Sequence, residues 1–242
     1  KIKNLCLAGG VALNCVANGK ILKENIFENI WVQPAAGDAG GALGAALALW
    51  HIDLGKERNE NFSDNMNCSY LGPEYSNEEI KDILIEIGAN FKSLPKEDLL
   101  NFTIENLIKG NAIGWFQGKM EFGPRALGNR SIIGDARSPD MQKKLNLKVK
   151  FRESFRPFAP SVLLEDANDW FDLNTESPYM LLVGKVKKDK LIEGANNSKS
   201  LKGLEKLNLV RSKIPAVTHV DNSARIQTVT NKNGIYYDLI KK

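Results

Sequence analysis

Cysteine is scarce in this chain of 242 residues: Cys6, Cys15 and Cys68 are all there is, and no two of them have a C-x-x-C spacing. An odd number without paired spacing indicates neither a disulfide framework nor a cysteine zinc site. A reducing, cytoplasmic compartment is therefore expected. No apolar run approaches the roughly 20 residues that span a bilayer, and the first residues lack the pattern of a secretory signal, so no membrane partner is expected. A strong charge imbalance is missing too. The net charge of +4 permits anionic substrates without reaching the one-sided basicity of nucleic-acid binders. The chain begins at Lys1 rather than Met and is expected to be a piece of a longer protein.

Glycine and arginine, by contrast, are concentrated. Residues 114–131 read GWFQGKMEFGPRALGNRS, just after an apolar stretch with strand character. Gly118, Gly123 and Gly128 can turn the backbone and bring N–H groups close to a ligand. Arg125 and Arg130 offer planar forks that match phosphate or carboxylate oxygens. The stretch reads as an anion site, in which Gln117, Gly118, Glu121, Gly123 and Ser131 are candidate binding residues. A second basic segment, Lys148–Pro160, interleaves Lys150, Arg152 and Arg156 with Phe151, Phe155 and Phe158. Stiffened by prolines, it suits a clamp on a nucleotide. A salt bridge of its arginines with Glu153 or Glu165 is the structural alternative.

Before these motifs the chain predicts a β-α-β-α unit. Residues 1–8 form a strand that stops at Gly9-Gly10, residues 11–25 have helical spacing, residues 29–33 form a second strand, and a small-residue helix follows Asp38. At that strand-to-helix junction Asp38 either caps the helix, the reading favoured by position, or faces a ligand. Gly9 and Gly10 can likewise be a plain turn, since a lone Gly-Gly before a helix is only a weak sign of a phosphate-approach loop. Residues 53–70, polar and rich in Asn, are expected to be a linker between a unit over 1–52 and one over 71–242. Ser76 and Glu79 form a capping box ahead of a face of Ile80, Ile83, Leu84 and Ile87. A second helix runs from about Pro95 to Lys109, with Gly110 as its stop. Ser138-Pro139 supplies the start of another helix. Residues 185–208 are charged and low in aromatics, as in a mobile surface insert. In residues 216–229 alternation puts His219, Asp221, Ser223, Arg225 and Gln227 on one polar face of a strand, opposite Val220, Ala224 and Ile226. That face is either solvated or binds a ligand.

The ordered set LAGGVALNCVANGKI (7–21), PAAGDAGGALGAA (34–46), GWFQGKMEFGPRALGNRSI (114–132), FRESFRPFAPSVL (151–163) and AVTHVDNSARIQTV (216–229) closely resembles the ATP-dependent O-carbamoyltransferases of nodulation-factor and antibiotic biosynthesis, the NodU/CmcH family. The resemblance implies an α/β chain made of the tail of an actin-like ATPase-fold transfer domain and a domain like the threonylcarbamoyl-adenylate synthases. It implies that carbamoyl phosphate and ATP, with Mg2+, give carbamoyl-adenylate, whose carbamoyl group passes to a substrate hydroxyl of unknown identity. Arg125, Arg130, Arg152 and Arg156 would then be catalytic cations. Gly9, Gly10 and Asn14 would lie at the nucleotide of the transfer site. Asp38 would ligate Fe2+ together with two histidines from an earlier part of the same protein, which becomes a partner of this chain. The hydrogenase-maturation carbamoyltransferases share this chemistry but carry zinc-finger cysteines, which this sequence lacks. A module that binds nucleotides or nucleic acid without chemistry is the alternative from another class.

Overall fold

The computed structural model describes residues 2–58, 64–194, 206 and 209–242. Strand β1 (Asn4–Leu7), helix α1 (Cys15–Lys23) and strand β2 (Asn29–Val32) form a β-α-β unit with the two strands parallel. Helix α2 (Asp38–Ala48) follows and continues into a wider turn over Leu49–Asp53. The β-α-β-α expectation matches this order. Between β1 and α1, Gly10–Leu13 form a 3-10 turn, and Asn14 caps α1 by accepting the Ala17 N–H at 3.1 Å. Asp38 does not cap α2: the N-cap is Gly37, and Asp38 is the exposed first residue of the helix. Its carboxylate still suits the positive end of the helix dipole.

The first unit does not stand apart. Ala12, Val32 and Ala36 share a core with Met66, Cys68, Tyr70, Leu127 and Met180. The part of the expected linker that follows its undescribed residues 59–63 is therefore packed: Asn67–Ser69 turn with positive φ, and Tyr70 forms a bridge with Glu121. Met, Cys and Tyr scattered among asparagines have no periodicity, so local pattern hid their burial. From the other side, Asn18 on α1 donates to the Ala12 carbonyl at 2.8 Å and to the Leu181 carbonyl at 3.1 Å.

Helices α3 (Asn77–Glu86) and α4 (Lys96–Ile108) come next. The Ser76/Glu79 capping box is present, but Ile83 and Ile87 on the expected apolar face are exposed. Strands β3 (Ile113–Phe116) and β4 (Arg130–Ile133) pair antiparallel. Helix α5 (Met141–Lys148) begins after Asp140, later than the Ser138-Pro139 start expected from sequence. A four-stranded sheet follows in the order β5-β8-β7-β6, from β5 (Ser161–Leu163), β6 (Phe171–Asp172), β7 (Leu182–Val186) and β8 (Ser223–Val229). The short helix α6 (Ala167–Trp170) leads into β6, and α7 (Ile235–Lys241) closes the chain. The expected charged insert at 185–208 starts later than expected, because Lys185 and Val186 belong to β7 and Lys188–Lys190 form a 3-10 turn. Most of the rest of it, 195–205 with 207 and 208, lies outside the described residues.

The polar face expected over 219–227 is shortened. Residues 219–222 make a turn in which the Asn222 N–H donates to the His219 carbonyl at 2.9 Å, and Asn222 has φ 61°. Only Ser223, Arg225 and Gln227 alternate within β8; of the opposite face, Ala224 and Ile226 are fully buried as expected, but Val220 lies in the turn and is exposed. His219 and Asp221 hold the turn: Ser223 Oγ lies 3.0 Å from His219 Nδ1 and donates to Asp221 at 2.6 Å, and Lys185 donates to Asp221 at 2.8 Å. Burial lowers the His219 pKa, Asp221 opposes this, and Arg225 and Lys185 add to it. For Asp221 burial works upward, but the hydrogen bonds from Lys185 and Ser223 hold the carboxyl below its usual range.

The β3–β4 connection, residues 117–129, is built around Glu121. This buried carboxylate accepts the N–H groups of Leu127 at 2.7 Å, Asn129 at 2.9 Å and Arg130 at 3.2 Å. Gly128, with φ 107°, lies against the Tyr236 ring, where an added Cβ would come within 2.3 Å of Cδ1.

Replacing Glu121 by Ala leaves three backbone donors without their acceptor and is expected to cost about 3 kcal/mol or more in chemical denaturation. Glu121→Gln, which retains an acceptor oxygen, should cost less. Stability should also depend on His219. Its folded pKa is depressed, so its contribution is fully present above the unfolded value near 6.5 and is lost as pH falls from there through the lower folded value. His219→Gln should flatten that part of the stability profile. Asp221 should add a further loss at lower pH, as the unfolded carboxylate titrates.

Candidate functional site

The loop 117–129, the segment 150–160, strands β5 and β8 and helix α7 enclose a cleft of about 510 Å³. Arg125, Lys150, Arg152 and Arg225 line it, together with Ser131, Ser161, Gln227 and Tyr236. Part of the lining is apolar, with Met141, Leu145, Phe158, Val217 and Leu239. The only carboxylate among the described lining residues is Asp135. Both of its oxygens are taken by Arg137, at 2.9 Å and 2.7 Å, and these bonds lower its pKa. Four cations thus face the cleft with no free counter-charge among its described lining residues.

Arg125 and Arg152 are held by uncharged groups. Arg152 donates from Nε to Asn146 Oδ1 at 2.7 Å and lies 5.1 Å from the centre of the Phe158 ring. Asn146, on α5, is fully buried and also donates to the Ser154 and Arg156 carbonyls at 3.0 and 2.8 Å, which fixes the bend of the basic segment. Arg125 donates to the Leu13 carbonyl at 3.3 Å. The Nε atoms of Arg125 and Arg225 are buried and have no hydrogen-bond partner among the described residues. Burial, and after it the charge of Arg125, lowers the Arg225 pKa; Cys15 opposes this and Arg152 adds to it. An arginine remains a cation under such a shift, so the cluster stores like-charge repulsion that an anion would relieve.

A chain of hydrogen bonds ties the walls together. Tyr236 Oη donates to Ser161 Oγ at 2.9 Å, and Ser161 donates to Gln227 Oε1 at 2.8 Å. Gln227 in turn donates to the Leu127 carbonyl at 2.7 Å. Gln227 is fully buried, so its amide is spent on architecture beside the cleft.

The structure sorts the sequence candidates. Arg125, Lys150, Arg152, Ser131, Arg225 and Gln227 meet at the cleft. Arg130 does not line it: its guanidinium stacks on Phe116 at 3.5 Å and donates to the Gln117, Gly118 and Asn129 carbonyls. Arg156 is exposed and pairs with Glu153 at 2.7 Å, the structural alternative foreseen for it. Gln117 is saturated by Trp115, Asn129 and Asn233, Gly118 turns the chain with φ 45°, and Glu121 orders the loop. Gly123 lies where the loop meets Pro34 and Ala35. His219 and Asp221, in the turn before β8, and Ser223, the first residue of β8, are not among the described residues that line the cleft. Gly9 and Gly10 are exposed, with open space around them, and Gly9 has φ 94°. The oxygen of Asn14 is occupied as a cap.

Asn146 and Tyr236 escaped the sequence reading, although Asn146 follows Met141 and Leu145 on the inward side of α5. For a metal, no group of three or more His, Cys, Asp or Glu residues is gathered among the described residues. Asp38 stands exposed without such company, and His51 is engaged with the Lys56 carbonyl at 2.8 Å. These residues by themselves do not make the iron site that the resemblance implies. Nor is any helix among the described residues long and apolar enough to cross a membrane.

Two family models match the chain: Carbamoyltransferase C-terminus over residues 104–242 and Carbamoyltransferase N-terminus over residues 1–47. An uncharacterized protein of Synechocystis is 56% identical over 100% of this chain and 40% of its own length. Nodulation protein NolNO of Sinorhizobium fredii is 43% identical over 99% of this chain and 32% of its own length. Nodulation protein NolO of Bradyrhizobium diazoefficiens is 40% identical over 98% and 40%. The chain thus spans about a third to two fifths of the length of the relatives it matches. With both family models matched in order and the lining of the arginine cleft lying within the C-terminal match, the chain belongs to the carbamoyltransferase family.

Proposed function

We propose that the cleft is the anion-activating site of an ATP-dependent O-carbamoyltransferase. The observation that carries this reading is the cluster of Arg125, Arg152, Arg225 and Lys150 around one cavity with no free carboxylate among its described lining residues. Carbamoyl phosphate and the ATP triphosphate are dense anions, and their reactions place further charge on phosphoryl oxygens. Preorganised cations in a sheltered site stabilise such charge far better than water does. Carbamoyl phosphate is first hydrolysed: water cleaves its bond to the phosphate, and carbamate and inorganic phosphate result. In the adenylation step an oxygen of that carbamate attacks the α-phosphorus of ATP, and pyrophosphate leaves. Arg152 and Arg225 balance the oxygens of the leaving group, and the apolar part of the lining accepts the base. Magnesium bound to the triphosphate would supply additional charge neutralisation.

Transfer would follow at the β-α-β-α unit. There a hydroxyl oxygen of the acceptor attacks the carbamoyl carbon, its proton is lost and AMP leaves. We assign residues 1–52 to the tail of an actin-like transfer domain and residues 71–242 to a domain like the threonylcarbamoyl-adenylate synthases, both inside a longer cytoplasmic protein. Asp38 could serve as a metal ligand only together with side chains from elsewhere in that protein. Carbamoyl-adenylate is labile in water, and a shared core between the units is consistent with a sheltered passage.

In calorimetry, Arg152→Ala and Arg225→Ala should each weaken carbamoyl phosphate or ATP binding by about tenfold to a hundredfold, the value of a charge-assisted hydrogen bond. The effect should exceed that of Arg156→Ala, and unchanged affinity in both cleft variants would overturn the assignment. Carbamoyl phosphate and ATP together should release pyrophosphate before any acceptor is added. Tight RNA or DNA binding that falls steeply with salt, without pyrophosphate release, would instead mark a nucleic-acid module.

A further inference from the structure

Arg125 belongs to two neighbourhoods at once. Its guanidinium lines the anion cleft, while one nitrogen reaches across to the Leu13 carbonyl in the 3-10 turn between β1 and α1. At 3.3 Å this bond is long for an arginine donor, and Nε of the same side chain is buried and has no hydrogen-bond partner among the described residues. The loop that carries Arg125 is also seated on the first unit. An added Cβ on Gly123, with φ 128°, would lie 3.3 Å from the Pro34 carbonyl oxygen and 3.4 Å from Ala35. Leu13 itself packs on the core that holds Ala12, Ala36 and Leu127. In the turn that Leu13 ends, Gly10 and Val11 are exposed, while Ala12 is buried and its carbonyl accepts from Asn18 at 2.8 Å.

We propose that Arg125 is a positioning residue that couples anion occupancy of the cleft to the order of the Gly9–Leu13 turn, and so signals from the adenylating site to the transfer side. An anion between Arg125, Arg152 and Arg225 satisfies the orphaned Nε and removes the repulsion among the three cations. The Arg125 side chain is then fixed in one rotamer, and its fork is held against Leu13. A lysine in its place keeps the charge but has no planar fork to hold both partners. The inference rests on the cleft being an anion site, and it adds a consequence that this reading does not require.

Amide hydrogen exchange of residues 10–14 in the full protein, with and without saturating inorganic pyrophosphate, tests it, with binding followed in parallel by calorimetry. In the wild type, pyrophosphate should slow exchange in this turn by about tenfold, as expected for a local opening made rarer. In Arg125→Lys and Arg125→Ala, at pyrophosphate concentrations raised to saturation, the slowing should disappear. In Arg152→Ala at saturation it should persist. A merely structural role for Arg125 would raise exchange equally in both states and leave the pyrophosphate effect intact, which would overturn the coupling. Pyrophosphate binding without any slowing in the wild type would overturn the coupling alone. Failure of the wild type to bind pyrophosphate would overturn the anion cleft and the coupling together.

Discussion

Arg125, Arg152 and Arg225 share one cavity, and like charges in a partly desolvated space repel more strongly than they would in water. A free protein tolerates such a cluster only if the surrounding scaffold is stiff enough to hold it. The supports are neutral here: the Leu13 carbonyl for Arg125, the Asn146 amide and Phe158 ring for Arg152, and β8 for Arg225. Neutral acceptors position a cation without cancelling its charge. Asp135, the carboxylate that could have cancelled it, is withdrawn by Arg137.

The stiffness comes from buried polar groups that are bonded to one another. Glu121 gathers two N–H groups of its own loop and that of Arg130 at the start of β4, and the Tyr236–Ser161–Gln227 chain fastens the end of that loop to β5, β8 and α7. Arg130 extends the same device by donating to carbonyls on both sides of the turn. Fully satisfied buried networks of this kind specify one arrangement, because any slip would strand a desolvated group. The glycine-arginine stretch is therefore two things at once: an internally bonded scaffold with one arginine, Arg125, turned out of it toward the cleft and the first unit.

Division of labour among similar residues is the main structural result for function. Four arginines stood out in two motifs as catalytic candidates, and the fold sends two of them, Arg125 and Arg152, to the cleft. Arg130 is consumed by its own loop, and Arg156 pairs with Glu153 on the surface. Arg225 joins the cleft from a third stretch, where the sequence offered five polar residues in alternation. His219 and Asp221 fell out of that set because the chain turns at Asn222 before the strand begins.

Local physics made much of the chain legible from its sequence. Glycine stops, the Ser76/Glu79 box, the order β-α-β-α, the strand before the glycine-arginine motif and the buried Ala224/Ile226 face all follow from propensity and periodicity, which act over a few residues. The motif order carried the family as well. The sequence alone could not decide which cations would meet, that Met66, Cys68 and Tyr70 would be core, or that Asn146 would hold the basic segment. Periodicity tells a residue which side of its own element it occupies. Whether an arginine ends beside a carbonyl, a carboxylate or another arginine can depend on a distant segment, as Arg125 depends on Leu13, 112 residues away, and only the packed chain brings those together.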